Sequence, residues 1–379
     1  MESFDRYRDP FASLFEINMG VRPGERIVVF TDMIRPDEHP SVADEDRRQR
    51  LGAVAEAAAG FARMRYGNTT FVRFAATSAS GAEPPRELWE SVLGRRNVAG
   101  LEEHGVLERF LAKSATAEDM ARAREIVRSG RSDVADIVVA LANNSTSHTR
   151  FRTLVNLAGG RFASLPHFDP EMFFSSMMVD WNALADRTGR LADALRDAVE
   201  IRLTTPNGTR MTFGTVGRSP AGDNGMLTTP GSFGNLPAGE VYLAPLEGTS
   251  EGELVLEYAP TRELAAPVRL SVKEGMVTEV QGDEPHAVKL REAFLLNPLV
   301  RNIAELGIGT NDRASRPDNI LEAEKILGTV HVALGDNSGF GGRVQVPFHE
   351  DYVFYKPTLS ALMADGSERT VLEVGELVV

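Results

Sequence analysis

Four short runs rich in β-branched and aromatic residues, 26–31, 70–74, 136–140 and 161–165, alternate with stretches long enough to form helices. Strands joined by crossovers of a dozen or more residues pair in parallel, so this alternation predicts a doubly wound parallel sheet covered by helices. The first crossover is the Ala-rich segment 45–65, in which Leu51, Val54, Ala58, Phe61 and Ala62 recur at helical spacing. Pro23-Gly24 turns the chain into the first run. A last helix at about 181–198 carries Leu184, Leu191, Leu195 and Val199, and beyond it the pattern changes to strands. Asn207-Gly208 between 201–205 and 209–213 reads as a hairpin turn, and Glu274-Gly275 between 268–273 and 276–280 as a second. The expected fold is an α/β N-terminal domain over 1–198, a parallel sheet with helices, followed by a mainly β (α+β) C-terminal domain over 199–379.

A length of 379 residues suits two such domains, each able to bury its own core. The absence of Cys excludes disulfide frameworks and thiolate-held zinc or iron–sulfur centres. The net charge is −13, with acidic and basic residues interleaved, which argues against a nucleic-acid partner. Lysine accounts for only five of the 41 basic residues, a bias we read as genomic. Acidic residues near the start, and apolar stretches such as 137–142 that fall far short of the ~20 residues of a membrane span, predict a cytoplasmic protein without a membrane partner.

The first half has neither GxGxxG nor GxxxxGK[ST], so its α/β pattern does not imply a nucleotide. Gly339-Phe-Gly-Gly342 lacks the Lys and Ser/Thr of a phosphate loop and reads as a tight turn. The segment 328–358 is more informative. His349 and Asp351 are two apart in a β-type run, which puts both on one strand face, and a short Gly-rich loop would bring His331 alongside. Two imidazoles and a carboxylate suit a divalent ion, although His-X-Asp alone is also an ordinary hydrogen-bonded pair. Glu240 and Glu305 sit at or within apolar runs, where a carboxylate is costly unless it meets a cation or a donor. His148 follows a strand end and either meets a ligand or caps the next helix. His39, His104, His167 and His286 read as loop or surface residues without a role.

Taken in order, these segments resemble the thermophilic metallo-aminopeptidases typified by aminopeptidase T and aminopeptidase S. The resemblance rests on Asn235-Leu-Pro-Ala-Gly-Glu240 with Glu247-Gly-Thr-Ser250 and Gly252, Ala304-Glu-Leu-Gly-Ile-Gly-Thr-Asn311, Gly328-Thr-Val-His331-Val-Ala-Leu-Gly335 and His349-Glu-Asp351. Residues 21–25, and Ser147-His-Thr149 with Arg152, are further shared features. The resemblance implies five metal ligands, Glu240, Glu305, His331, His349 and Asp351, holding two divalent ions (zinc, cobalt or manganese). It implies that Glu240 or Glu305 carries a proton from water to a leaving amine, as in two-metal hydrolysis. The implied function is an amide hydrolase: an aminopeptidase acting on short peptides, or a divergent amidohydrolase acting on a small amide, assembled as a homodimer. The aminopeptidases carry a tyrosine a few residues after the histidine matching His331. Here Ser338 stands nearest that place, and Tyr355, on the strand face of Asp351, is the expected substitute.

The C-terminal half also resembles the 2,5-dihydroxypyridine 5,6-dioxygenase of nicotinate breakdown, which holds one ferrous ion by two histidines and an aspartate. This implies the alternative of a mononuclear iron ring-cleaving dioxygenase, with His331, His349 and Asp351 around one Fe(II). That enzyme's pattern has histidine at the position of Glu305 and none at that of His331, so the ligand series here sides with the dinuclear hydrolases. A binding protein that keeps the fold without turnover is the third reading.

Overall fold

The computed structural model describes residues 5–260 and 262–379. The chain forms two compact units, one made of the residues up to Met178 with Gly225–Pro237, the other of Val179–Asn224 with Ala238–Val379.

In the first unit five strands pair in parallel, in the order Thr69–Ala75, Ile27–Met33, Ile137–Ala140, Arg161–Ser164 and Phe233–Asn235. The strands Ile137–Ala140 and Arg161–Ser164 are buried along their whole length, as strands covered on both faces must be. The crossover helix Val42–Tyr66 begins at Ser41, whose hydroxyl accepts the Asp44 N–H. The helix Ala117–Ser129 begins with a capping box between Thr116 and Asp119. Each cap satisfies an N–H group that the first helical turn leaves without a partner.

The second unit is antiparallel throughout its two sheets. Eight strands run in the order Met276–Gln281, Arg262–Lys273, Glu251–Ala259, Arg210–Gly214, Ala198–Thr204, Thr358–Met363, Glu368–Glu373 and Glu376–Leu377. The other sheet has the order His349–Phe354, Val330–Gly335, Ile303–Gly309, Glu240–Leu243 and Ala221–Asp223. Both expected hairpins form: Thr204 faces Arg210 across the turn holding Gly208, and Lys273 faces Met276 across Glu274-Gly275, both at positive φ. One apolar core joins the sheets, with Ile201, Leu203, Met211 and Phe213 from the larger and Leu306, Val330, Val332 and Leu334 from the smaller.

An α/β region with a parallel sheet is thus followed by an antiparallel β region. The division of the chain differs from a single boundary at residue 198. The helix Trp181–Leu195 packs Leu191, Ala194 and Leu195 into the core of the second unit, because these apolar residues match that core. Conversely, Phe233–Asn235 leaves the expected C-terminal domain and pairs with Arg161–Ser164, Phe162 facing Phe233. A three-residue strand with Gly at its centre has no β-propensity to announce it; backbone pairing alone makes it. Leu334 is fully buried, and Leu334→Ala is expected to destabilise the second unit by about 2–5 kcal/mol. A fall in its urea midpoint at constant slope checks this.

Candidate metal centre

Residues directly opposed in an antiparallel pair share a face, and successive residues alternate between faces. Glu240 lies opposite Gly309 and Tyr242 opposite Gly307; Gly307 lies opposite His331 and Glu305 opposite Ala333. Ala333 also faces Asp351, and Gly335 faces His349. All five expected ligands therefore project from one face of the five-stranded sheet. The residues between them, Val241, Leu306, Ile308, Val330, Val332, Leu334 and Tyr352, enter the core from the other. The opposed positions Gly307, Ala333 and Gly335 are small, which leaves room above the sheet. At Gly307 the need is absolute, since a Cβ there would lie 2.0 Å from the His331 ring.

His331 Nε2 stands 3.3 Å from Glu305 Oε1 and 3.5 Å from Glu240 Oε2. His349 Nε2 is 3.5 Å from both Glu305 Oε2 and Asp351 Oδ1. Its other nitrogen, Nδ1, is 2.8 Å from the Asp336 carbonyl, to which it donates, so Nε2 is the nitrogen turned toward the carboxylates. Desolvation opposes the charged form of each imidazole, and the carboxylates outweigh it. Glu305 and Glu240 bring His331 up to about 9, and Asp351 and Glu305 bring His349 up to about 10. Burial would raise Asp351, but His349, His331 and Lys325 hold it well below the usual carboxylate range.

Two neighbours complete the cluster. The Lys325 side chain is 1% exposed, and its Nζ lies 2.5 Å from Glu240 Oε1 and 2.7 Å from Glu324 Oε1. Burial works against the ammonium, and Glu240, Glu324 and Asp223 more than reverse this, holding it well above the ordinary lysine value. Burial raises the Glu324 carboxyl to about 8 against the pull of Lys325. Neither residue was singled out from the sequence. The available signal was a lysine next to Glu324 in a chain whose other basic residues are nearly all arginine.

Three overlapping groups each bring their donor atoms within 4.8 Å of one another: Glu240, Glu305 and His331; Glu305, His349 and Asp351; Glu324, His331 and Asp351. Hard oxygen and borderline nitrogen donors of this kind suit a divalent first-row ion. Glu240 Oε2 and His331 Nδ1 are buried without a hydrogen-bond partner, a sign that the cluster is not closed by its own hydrogen bonds. The triad of His331, His349 and Asp351 is not among these groups, so convergence on one point brings one imidazole together with two carboxylates.

Tyr355 does not join the cluster. It lies beyond the end of the strand His349–Phe354, so the alternation that would align it with Asp351 has lapsed, and its ring packs 5.3 Å from that of Tyr258. The phenol on the site face is Tyr242, two residues from Glu240 and legible from that spacing. Its ring centroid is 5.7 Å from that of Phe340, which is 5.9 Å from that of His349. Burial, then Glu240, Asp223 and Glu305, raise the Tyr242 phenol far above its usual value. Phe340 belongs to the Gly-rich turn. Asn337 holds that turn by donating from Nδ2 to Glu247 at 3.0 Å and accepting the Val344 N–H at 2.9 Å. His286 is buried rather than on the surface and meets the Tyr352 hydroxyl at 2.9 Å. His148 is exposed, and Thr149 caps the helix that follows. Among the described residues, no helix is long and apolar enough to cross a membrane.

The sequence profile of a family described as NicX, 2,5-dihydroxypyridine 5,6-dioxygenase, matches residues 112–378. A curated relative, the 2,5-dihydroxypyridine 5,6-dioxygenase of Pseudomonas putida (strain KT2440), is 26% identical over 152 residues, 36% of this chain and 43% of the relative. The chain therefore aligns with less than half the length of that relative. Among solved structures, 2,5-dihydroxypyridine dioxygenase from Pseudomonas putida KT2440 superposes with a TM-score of 0.69 at 16% identity, covering 99% of this chain and 98% of that one. Wild-type AmpT from Thermus thermophilus superposes with a TM-score of 0.57 at 14% identity, covering 99% and 100%. These likenesses show a shared fold with both relatives.

The family match and the curated relative overturn the expected amide hydrolase. The dinuclear aminopeptidase class, and a peptide or small amide as substrate, are withdrawn with it. The ordered series misled because it was weighed chiefly against one kind of enzyme, on a fold that 2,5-dihydroxypyridine dioxygenase and AmpT both share.

Gly307→Ala is expected to displace the His331 imidazole and to cost about 1–3 kcal/mol through overpacking, measured by urea unfolding. The His349 imidazole, brought up to about 10, is protonated at neutral pH without metal. An ion bound there must displace that proton, so affinity rises with pH until about 10. Manganese dissociation constants at pH 6, 7 and 8 should tighten by up to about tenfold per unit, and a flat profile would exclude His349 as a ligand.

Proposed function

The chain belongs to the NicX family, that of 2,5-dihydroxypyridine 5,6-dioxygenase, and from that premise we propose that it opens the ring of a small hydroxylated aromatic compound with dioxygen, using one ferrous ion. The observation that carries this reading is the family match over 112–378, a span that contains every residue of the cluster. Glu305, His349 and Asp351 are the proposed ligands, a carboxylate-rich variant of the facial sets that leave positions open on non-haem iron. Ferrous iron, when bound, supplies the redox chemistry by which dioxygen reacts with a closed-shell ring.

The remaining roles fall to side chains of this chain. Asp336 orients His349 through its carbonyl, fixing the tautomer that presents Nε2. Tyr242 and Phe340 offer aromatic edges and faces beside the donors, a lining that favours a planar ring. Glu240 Oε2, free of hydrogen bonds and 3.5 Å from His331 Nε2, is the acceptor for a hydroxyl proton of the substrate, with His331 sharing the charge.

Protein loaded anaerobically with Fe(II) and offered 2,5-dihydroxypyridine, other dihydroxypyridines and dihydroxybenzenes tests this. We expect one dioxygen consumed per ring, with loss of the aromatic absorbance, on at least one of these compounds. His349→Ala should lower both iron content and turnover by about 100-fold. Iron-loaded protein that consumes no oxygen with any of them would refute the reading.

A further inference from the structure

The three potential ligand groups share residues, and Lys325 separates them. Its ammonium ties Glu240, which belongs to the first group, and Glu324, which belongs to the third. Only in the group of Glu305, His349 and Asp351 is no donor hydrogen-bonded to it. The position of Lys325 is built into the backbone. Its carbonyl accepts the Asn311 N–H at 2.9 Å, and the 325–326 peptide lies against Gly309, where a Cβ would come within 2.0 Å of the Ile326 carbonyl oxygen. Gly309 is the residue opposite Glu240 in the sheet, so the same glycine that admits this peptide sets Lys325 beside Glu240.

We infer that the Lys325 ammonium is a built-in cation standing where a second metal ion would bind, and that it limits this centre to one ion, held by Glu305, His349 and Asp351. A divalent ion on Glu240 or Glu324 would have to displace the ammonium from a position where it is 1% exposed, or sit against a like charge. Glu240 and Glu324 thus serve as hydrogen-bond partners of the lysine and not as ligands. The inference rests on the proposed metal centre and extends it, by naming the residue that separates a mononuclear from a dinuclear site on this scaffold.

The test uses full-length, metal-stripped protein with Mn(II) as the probe, counted by the electron paramagnetic resonance of free ion and examined for coupling between bound ions. Wild type is expected to bind one ion with an uncoupled six-line signal. Lys325→Met should bind two, and Lys325→Arg, which keeps the charge, should bind one. Removing a buried ammonium can unfold the chain, so Glu240→Gln with Glu324→Gln forms a second arm with Lys325 retained. In that double variant Mn(II) affinity should stay within about tenfold of wild type, whereas Glu305→Gln should lose about 100-fold or more. Two ions or a coupled signal in wild type, one ion in folded Lys325→Met, or a loss in the double variant as large as in Glu305→Gln would each overturn the inference and leave a metal centre standing. Wild type that binds no Mn(II) at all would instead remove the metal reading on which it rests.

Discussion

Carboxylates concentrated where water is scarce must be answered by positive charge, and the second unit is organised around that demand. Glu240 and Glu305 are each 7% exposed, with Glu324 and Asp351 beside them on or near the same sheet face. Isolated ionised acids in such a place are far too costly to persist. The chain supplies part of the answer itself, through a buried ammonium and two imidazoles held in their charged form. A divalent ion exchanges an imidazole proton for a larger charge, so the protonated histidines of the metal-free protein keep the place of the ion.

The geometry behind this depends on alternation. A period of two sends Glu305, His331, His349 and Asp351 to one face and Leu306, Val330, Val332, Leu334 and Tyr352 to the core. For that reason the shared face of His349 and Asp351 could be read from their spacing, whereas the grouping of all five side chains came from the resemblance. Tyr242 obeyed the same rule from Glu240, whereas Tyr355 was assigned by extending the rule past Phe354, where the strand stops. Lys325 obeys no such rule. It follows the one-turn helix Ile320–Ala323 and reaches Glu240 because the chain folds back against Gly309, a tertiary fact with no local period. The strand Phe233–Asn235 was hidden for a related reason, since its pairing and not its composition defines it.

The likeness to both a ring-cleaving dioxygenase and AmpT places two chemistries on one scaffold. Fold alone does not choose between them; the contents of the site do. In this chain those contents include a lysine among the acids and an aromatic margin of Tyr242 and Phe340, the latter carried on a turn that Asn337 and Glu247 hold closed. The glycine-rich segment 339–342, read from the sequence as a tight turn, carries that phenyl ring.

The path of the backbone bears on whether either unit can be separated from the other. The chain passes from the first unit to the second after Met178, returns at Gly225 and leaves again after Pro237. No single cut yields the unit with the cluster intact: a fragment beginning at residue 199 would lack the helix Trp181–Leu195 and would carry a strand whose partner, Arg161–Ser164, had been left behind. The half that carries the cluster is therefore not a portable module. A cut between whole domains would find no seam here.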